Sequence, residues 1–158
     1  MPAEILTTDD LQKFKQEMII PLIILFLLGA LQGAIGWIMV KSGLVPEKYF
    51  VGHVELATHF VAALGLLVYT LWFALRLLVP EQQSIQSPAL KKFTVALLLL
   101  LFVQLCYGGF MAGLRAATVA PTWPTINGEW FPASLFNERG RANLVNNPFM
   151  VHFIHRGL

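Results

Sequence analysis

The sequence predicts an all-α membrane protein: a polytopic helical bundle with three complete transmembrane helices plus a truncated fourth. Three observations carry this. Apolar residues make up 56% of the 158-residue chain and fall in blocks of about 20, the length at which a helix crosses a bilayer's hydrocarbon core. Only 13% of residues are charged, against the roughly 25% usual in soluble domains. The mean hydropathy is +0.65. Such blocks read as helices because a segment in lipid must satisfy its own backbone hydrogen bonds.

The remaining composition narrows function. A net charge of +2 without clusters gives no case for nucleic acid. The single cysteine, Cys106, lies in an apolar block, so no internal disulfide is expected. Glu4, Asp9 and Asp10 precede the first apolar run, the wrong sign for a signal peptide or a mitochondrial transit peptide. The spans themselves are expected to serve as targeting, and membrane lipid is the first partner implied.

Taken in order, residues 1–17 are polar, and Thr8 is placed to cap an amphipathic lead-in, LQKFKQEM, lying at the interface. The first span is expected over residues 18–40, with Pro21 in its first turn. Its Gly29, Gly33, Gly36, Ala30 and Ala34 form a small-residue face suited to close helix contact. Trp37 and Lys41 mark the exit. A short loop, KSGLVPEKYF, makes the second span, residues 51–79, its antiparallel neighbour. His53, Glu55, Thr58 and His59 fall in its first third, and Arg76 can snorkel from its last turn. A polar loop leads to the third span, residues 93–114, where Gln104, Gly108, Gly109 and Gly113 interrupt the apolar run. The next loop is too long for mere connection, and Trp123, Trp130, Phe131 and its prolines suggest an ordered cap near the headgroups. A fourth helix starts near Pro148 with about ten residues, too few to cross a bilayer. Charge does not orient the bundle. Lys13, Lys15, Arg76, Lys91 and Lys92 balance Lys41, Lys48, Arg115, Arg139 and Arg141.

A weak internal repeat is more informative. QGAIGWIM in the first span and QLCYGGFM in the third share Gln, then Gly four residues on, then Met three further. Each is followed by a loop and a helix bearing a histidine, His59 and then His155. This order suggests a duplicated two-helix unit whose histidines sit at equal depth below one membrane face. Intramembrane histidine is costly and lines a site or binds something. Imidazole is a common axial ligand of haem iron. Glu55, four residues before His59, is placed to accept a hydrogen bond from its ring or to relay a proton.

Plainer readings stand beside these. A histidine in a membrane helix is often only a helix–helix hydrogen-bond partner. His53 reads as interfacial, and His152 as a packing neighbour of His155 or as the alternative ligand. Gln32 and Gln104 read as interhelical hydrogen bonds, and the glycines as packing. Arg115, Arg139 and Arg141 suit either propionates or lipid headgroups.

The stretches LLGALQGAIGWIMVKSGL, VELATHF, GGFMAGLRAA, PTINGEWFP and NLVNNPFMVHFIHR closely resemble, in order and spacing, the haem A synthase family of cytochrome oxidase assembly proteins. The likeness covers about residues 25–158. It implies part of an eight-helix bundle of two four-helix halves, with residues 1–80 ending the first half and residues 81–158 opening the second. This chain would supply helices three, four, five and the start of six. The implied activity is oxidation of a haem O methyl group to the formyl group of haem A, by successive hydroxylations with water-derived oxygen. A b-type haem (iron) is the implied prosthetic group and haem O the substrate. By the resemblance His59 is the substrate-side catalytic histidine and iron ligand and His155 ligates haem b; Arg115 and Arg156 are the candidate cofactor-binding residues beside them. The implied setting is the bacterial inner membrane with a cytoplasmic N-terminus. Haem O synthase and an electron-transfer protein are the implied partners.

The departures are specific. The family's Glu-x-x-x-His-Arg helix has no counterpart before residue 18, helices seven and eight have none after residue 158, and the outer loops hold no cysteine pair. Glu55 sits on the wrong helix to replace the missing acid. The expectation is therefore a fragment that keeps one histidine of each pair and is inactive alone. Two rivals remain: a membrane b-type cytochrome that only transfers electrons, and a haem-free scaffold or transporter in which the histidines pack.

Overall fold

The structure is a computed structural model describing residues 8–80 and 86–158. The N-terminal part of the polar lead-in (1–7) and the expected division between residues 80 and 81, which opens onto segment 81–85, lie at or outside the limits of the described residues. Among the described residues five α-helices follow one another: α1 (Thr8–Lys41), α2 (His53–Leu78), α3 (Pro88–Leu114), α4 (Ala142–Asn146) and α5 (Pro148–Gly157). Among the described residues, three helical stretches are long and apolar enough to span a membrane: Lys15–Lys41, His53–Leu78 and Pro88–Leu114. Their outward faces carry large apolar side chains such as Phe26, Leu67 and Leu99, all more than half exposed. Water would penalise that surface, and lipid accepts it.

The first span is longer than expected. The lead-in does not lie apart at the interface but continues into the span as one 34-residue helix. Nothing in the described part of the lead-in breaks a helix, so the hydrogen-bond ladder runs on. Pro21 consequently sits inside α1, not in its first turn, and its missing N–H leaves the carbonyl one turn earlier without its helical donor. Tyr69 from α2 donates to the Pro21 carbonyl at 3.1 Å, tying the two helices where α1 is weakened. At its other end the Lys41 ammonium sits 3.9 Å over the Trp37 ring, the aromatic–cation exit the sequence marked. Arg76 likewise lies over Trp72.

Side-chain chemistry at the helix ends sets the boundaries. α3 begins at Pro88 rather than 93, because Ser87 accepts from the Leu90 N–H as N-cap and Pro88 needs no donor at the first position. It ends at Arg115 in the left-handed conformation. α5 starts in the same manner, with Asn147 accepting from the Phe149 and Met150 N–H groups ahead of Pro148.

The chain packs α1 on α2, α2 on α3, and α3 on α5. The α2–α3 approach depends on glycine. A Cβ at Gly109 would come within 2.9 Å of the Ala57 Cα, and one at Gly113 within 2.6 Å of the His53 Cα. The small-residue face of α1 is used only in part, since Gly29 and Gly33 meet nothing within 4 Å while Gly36 meets His59.

The long loop is an ordered cap. It holds 3-10 turns at Ala116–Thr118 and Ala133–Phe136 and a small core of Ala120, Ile126 and Leu135 packed on Phe149, Met150 and Phe153. Buried Asn143 and Asn147 hold it together. Asn147 donates to the Ser134 carbonyl and to Asn143 Oδ1, and Asn143 donates to the Leu135 carbonyl. His53 meets Asn146 Oδ1 at 3.1 Å, so the first hairpin's α2 touches the cap that precedes α5. The two histidine-bearing helices therefore start from the same side.

Candidate functional site

The repeat seen in sequence is a repeat of side-chain arrangement. In the first unit the Gln32 carboxamide nitrogen on α1 donates to the His59 carbonyl at 3.0 Å and lies 3.2 Å from His59 Nδ1. A carboxamide nitrogen only donates, so Nδ1 accepts and the ring proton sits on Nε2. Turning the amide over would set its oxygen against the His59 carbonyl, which fixes the orientation. One turn along α1, Gly36 makes room for the ring: a Cβ there would lie 2.9 Å from His59 Cε1.

The second unit repeats this on α3 and α5. Gln104 donates to the His155 carbonyl at 2.9 Å, and Gly108, one turn on, faces His155 Cε1 at 3.5 Å from an ideal Cβ. His155 borders an apolar cleft of about 330 Å³ between α2, α3 and α5, with Leu56, Phe60, Leu105 and Ala112 among its walls. His155 Nδ1 and the Oε1 atoms of Gln104 and Gln32 are buried and without hydrogen-bond partners.

Comparison with known proteins decides the family. The cytochrome oxidase assembly protein family matches residues 5–158. The chain belongs to that family. It is similar to the haem A synthase of Rhizorhabdus wittichii, 45% identical over 134 residues. Those of Paracoccus denitrificans and Bradyrhizobium diazoefficiens are 39% and 43% identical. These alignments cover 84–85% of this chain but only 37–38% of each relative, so the chain spans under two-fifths of the length of these relatives. No solved structure matches.

Within this assembly-protein segment the other candidate residues have definite places. Glu55 does not reach His59. Its carboxylate folds back over Gly52 at the start of α2, where the helix dipole favours it, and the partner of His59 is Gln32. His152 is buried, at 9% exposure, with its ring against the Ala116 backbone and Nδ1 without a partner. Arg115 is exposed, its guanidinium 3.6 Å over the Phe50 ring. Arg156 donates to the Thr122 and Pro124 carbonyls at 2.7 and 3.3 Å, clipping the cap onto α5.

The donor set suits a porphyrin better than a bare ion. Among the described residues no three His, Cys, Asp or Glu side chains cluster as a metal cage. A haem needs only one imidazole per face and an apolar slot for its ring. His155, whose ring borders the apolar cleft, fits that requirement, and His59 is a second imidazole whose backbone carbonyl is held by the equivalent glutamine.

The sequence repeat marks all six residues of these units but not the contact between glycine and imidazole, since in the sequence the glycines read as packing. It also missed Asn143, Asn147 and the Arg156 clip. Asn-Asn-Pro at 146–148 is an N-cap signature that could have flagged Asn147.

The Gly36 contact gives a direct expectation. Gly36→Ala should displace the His59 ring and weaken its bond to Gln32, seen as a changed imidazole 15N resonance, whereas Gly29→Ala should leave that resonance in place. An unchanged His59 spectrum in Gly36→Ala would contradict the cradle.

Proposed function

We propose that this chain is a segment of a haem A synthase that oxidises the haem O methyl group to a formyl group for cytochrome oxidase assembly. The observation that carries the reading is the pair of matching units, Gln32–Gly36–His59 and Gln104–Gly108–His155, in a chain of this family. Methyl plus water gives formyl with loss of four electrons and four protons, so the reaction needs an electron-accepting partner.

In this reading a b-type haem, when bound, supplies one-electron redox chemistry. His155 holds that group beside the apolar cleft, and His59 contacts haem O in the first unit. Its Nε2 proton, set by Gln32, gives His59 a hydrogen-bond donor towards the substrate. Arg156 keeps N–H donors beyond the two that grip the cap, and exposed Arg115 has its side-chain donors clear of acceptors among the described residues; both suit propionate carboxylates. The cap is packed against α5 and gripped by Arg156, and so fixes the helix that carries His155. The N-terminal side of the first span is cytoplasmic in a bacterial inner membrane, loops 41–50 and 114–145 lie outside, and haem O synthase delivers the substrate.

Segment exchange tests this. This chain replaces the matching stretch of the Paracoccus denitrificans relative, and membranes are assayed for conversion of haem O to haem A. The expected result is retained conversion, lost on His59→Ala or His155→Ala. A folded exchange protein that carries a reducible haem without converting haem O would favour the electron-transfer cytochrome instead.

A further inference from the structure

We propose that Gln104 is a positioning residue for His155: its carboxamide oxygen accepts a hydrogen bond from the imidazole Nδ1–H and so leaves Nε2 bare as the ligand atom. This rests on the haem reading above and adds to it a residue with a defined role. Gln104 is already tied to His155, its nitrogen donating to the His155 carbonyl at 2.9 Å. Two buried atoms of this same pair have no partner, Gln104 Oε1, which can only accept, and His155 Nδ1, which can donate. Buried polar atoms are nearly always paired, and these two complement each other. In this structure the two atoms are not bonded to each other, and a turn of the side chains that brings them together would satisfy both at once.

The first unit shows why the distinction matters. There the carboxamide nitrogen faces Nδ1 at 3.2 Å, which puts the proton on Nε2 and leaves that nitrogen unable to ligate. In the second unit no such donor occupies Nδ1. The equivalent glutamines thus set opposite tautomers: a proton-bearing Nε2 at His59 and an open lone pair at His155. Metal-bound histidines almost always donate their other ring N–H to an oxygen, and losing that acceptor weakens metal binding about 10- to 100-fold.

The test titrates ferric iron-protoporphyrin IX into the full chain in detergent, reading affinity from the Soret band and then the midpoint potential. Gln104→Leu removes both functions of the amide, while Gln104→Glu keeps an acceptor oxygen and loses the donor to the His155 carbonyl. The expected results are an affinity about 10- to 100-fold lower for Gln104→Leu, an affinity for Gln104→Glu close to that of the parent chain, and a lowered midpoint potential in Gln104→Glu as the carboxylate strengthens the imidazole as a donor. A clamp acting only through the carbonyl bond would be broken equally by both variants, so equal losses overturn the proposal. If Gln104→Leu does not fold, Gln104→Glu decides alone: parent-like affinity supports the proposal and lost binding overturns it. His155→Ala separates the levels. Unchanged binding there sinks the haem reading itself, whereas binding lost in His155→Ala but kept in Gln104→Leu sinks only the role of Gln104.

Discussion

Asn147→Ala is expected to cost about 2–4 kcal/mol and to fray the start of α5. Its oxygen caps the Phe149 and Met150 N–H groups, a bond set worth about 1 kcal/mol. Its nitrogen serves the Ser134 carbonyl and Asn143 Oδ1, both at 2.8 Å. Leaving such buried acceptors short of a donor costs about 1–3 kcal/mol more. Asn143 softens the loss, because its Oδ1 also accepts from the Glu138 N–H. Unfolding in graded denaturing detergent measures the total, and hydrogen exchange at Phe149 and Met150 locates it. Asn147→Asp keeps the cap oxygen but loses the donor and buries a charge at a 2%-exposed site, so it should not rescue. A cost below about 0.5 kcal/mol, typical of an ordinary surface site, would contradict the account of the cap.

Gly109→Val should be still more damaging. A Cβ there meets the Ala57 Cα and Cβ at 2.9 Å, and one of those atoms is backbone, which cannot swing aside. α2 and α3 must separate along their whole contact, losing the packing that holds membrane helices together in place of a hydrophobic driving force. Overpacking of a well-packed site costs about 1–3 kcal/mol and more where backbone must move, so the variant is expected to lose roughly 3 kcal/mol or to fail to fold. Gly65→Val is the control, since Gly65 has nothing within 4 Å. Equal unfolding midpoints for the two variants would show that the close approach is not what stabilises the bundle.

The spans were legible because lipid imposes one rule on every residue it touches, and blocks of apolar residues record it. Boundaries were less so. The start of α1 ran past residue 18 because helix continuation needs only the absence of a breaker, and the start of α3 was set by the Ser87–Pro88 pair rather than by hydropathy. At the candidate site the repeat pointed to Gln32, Gln104, His59 and His155, since spacing along a helix survives in sequence. Hidden were the contacts that depend on how two helices face each other: Gly36 against an imidazole, Glu55 turned towards its own N-terminus and away from His59, and Arg156 gripping carbonyls 32 and 34 residues away. Carbonyl acceptors belong to every residue alike, so no sequence pattern marks them.

The central claim is that the two repeat-equivalent histidines, not their sequence neighbours, are the ones that contact haem, His155 as ligand and His59 through its Nε2–H. Titration of ferric iron-protoporphyrin IX into His53→Ala, His59→Ala, His152→Ala and His155→Ala chains tests it most directly. The account predicts at least tenfold weaker or fewer bound haems for His59→Ala and His155→Ala, with the other two within about threefold of the parent, a difference under 1 kcal/mol. Loss of binding in His152→Ala or His53→Ala with His155→Ala and His59→Ala unaffected would contradict it.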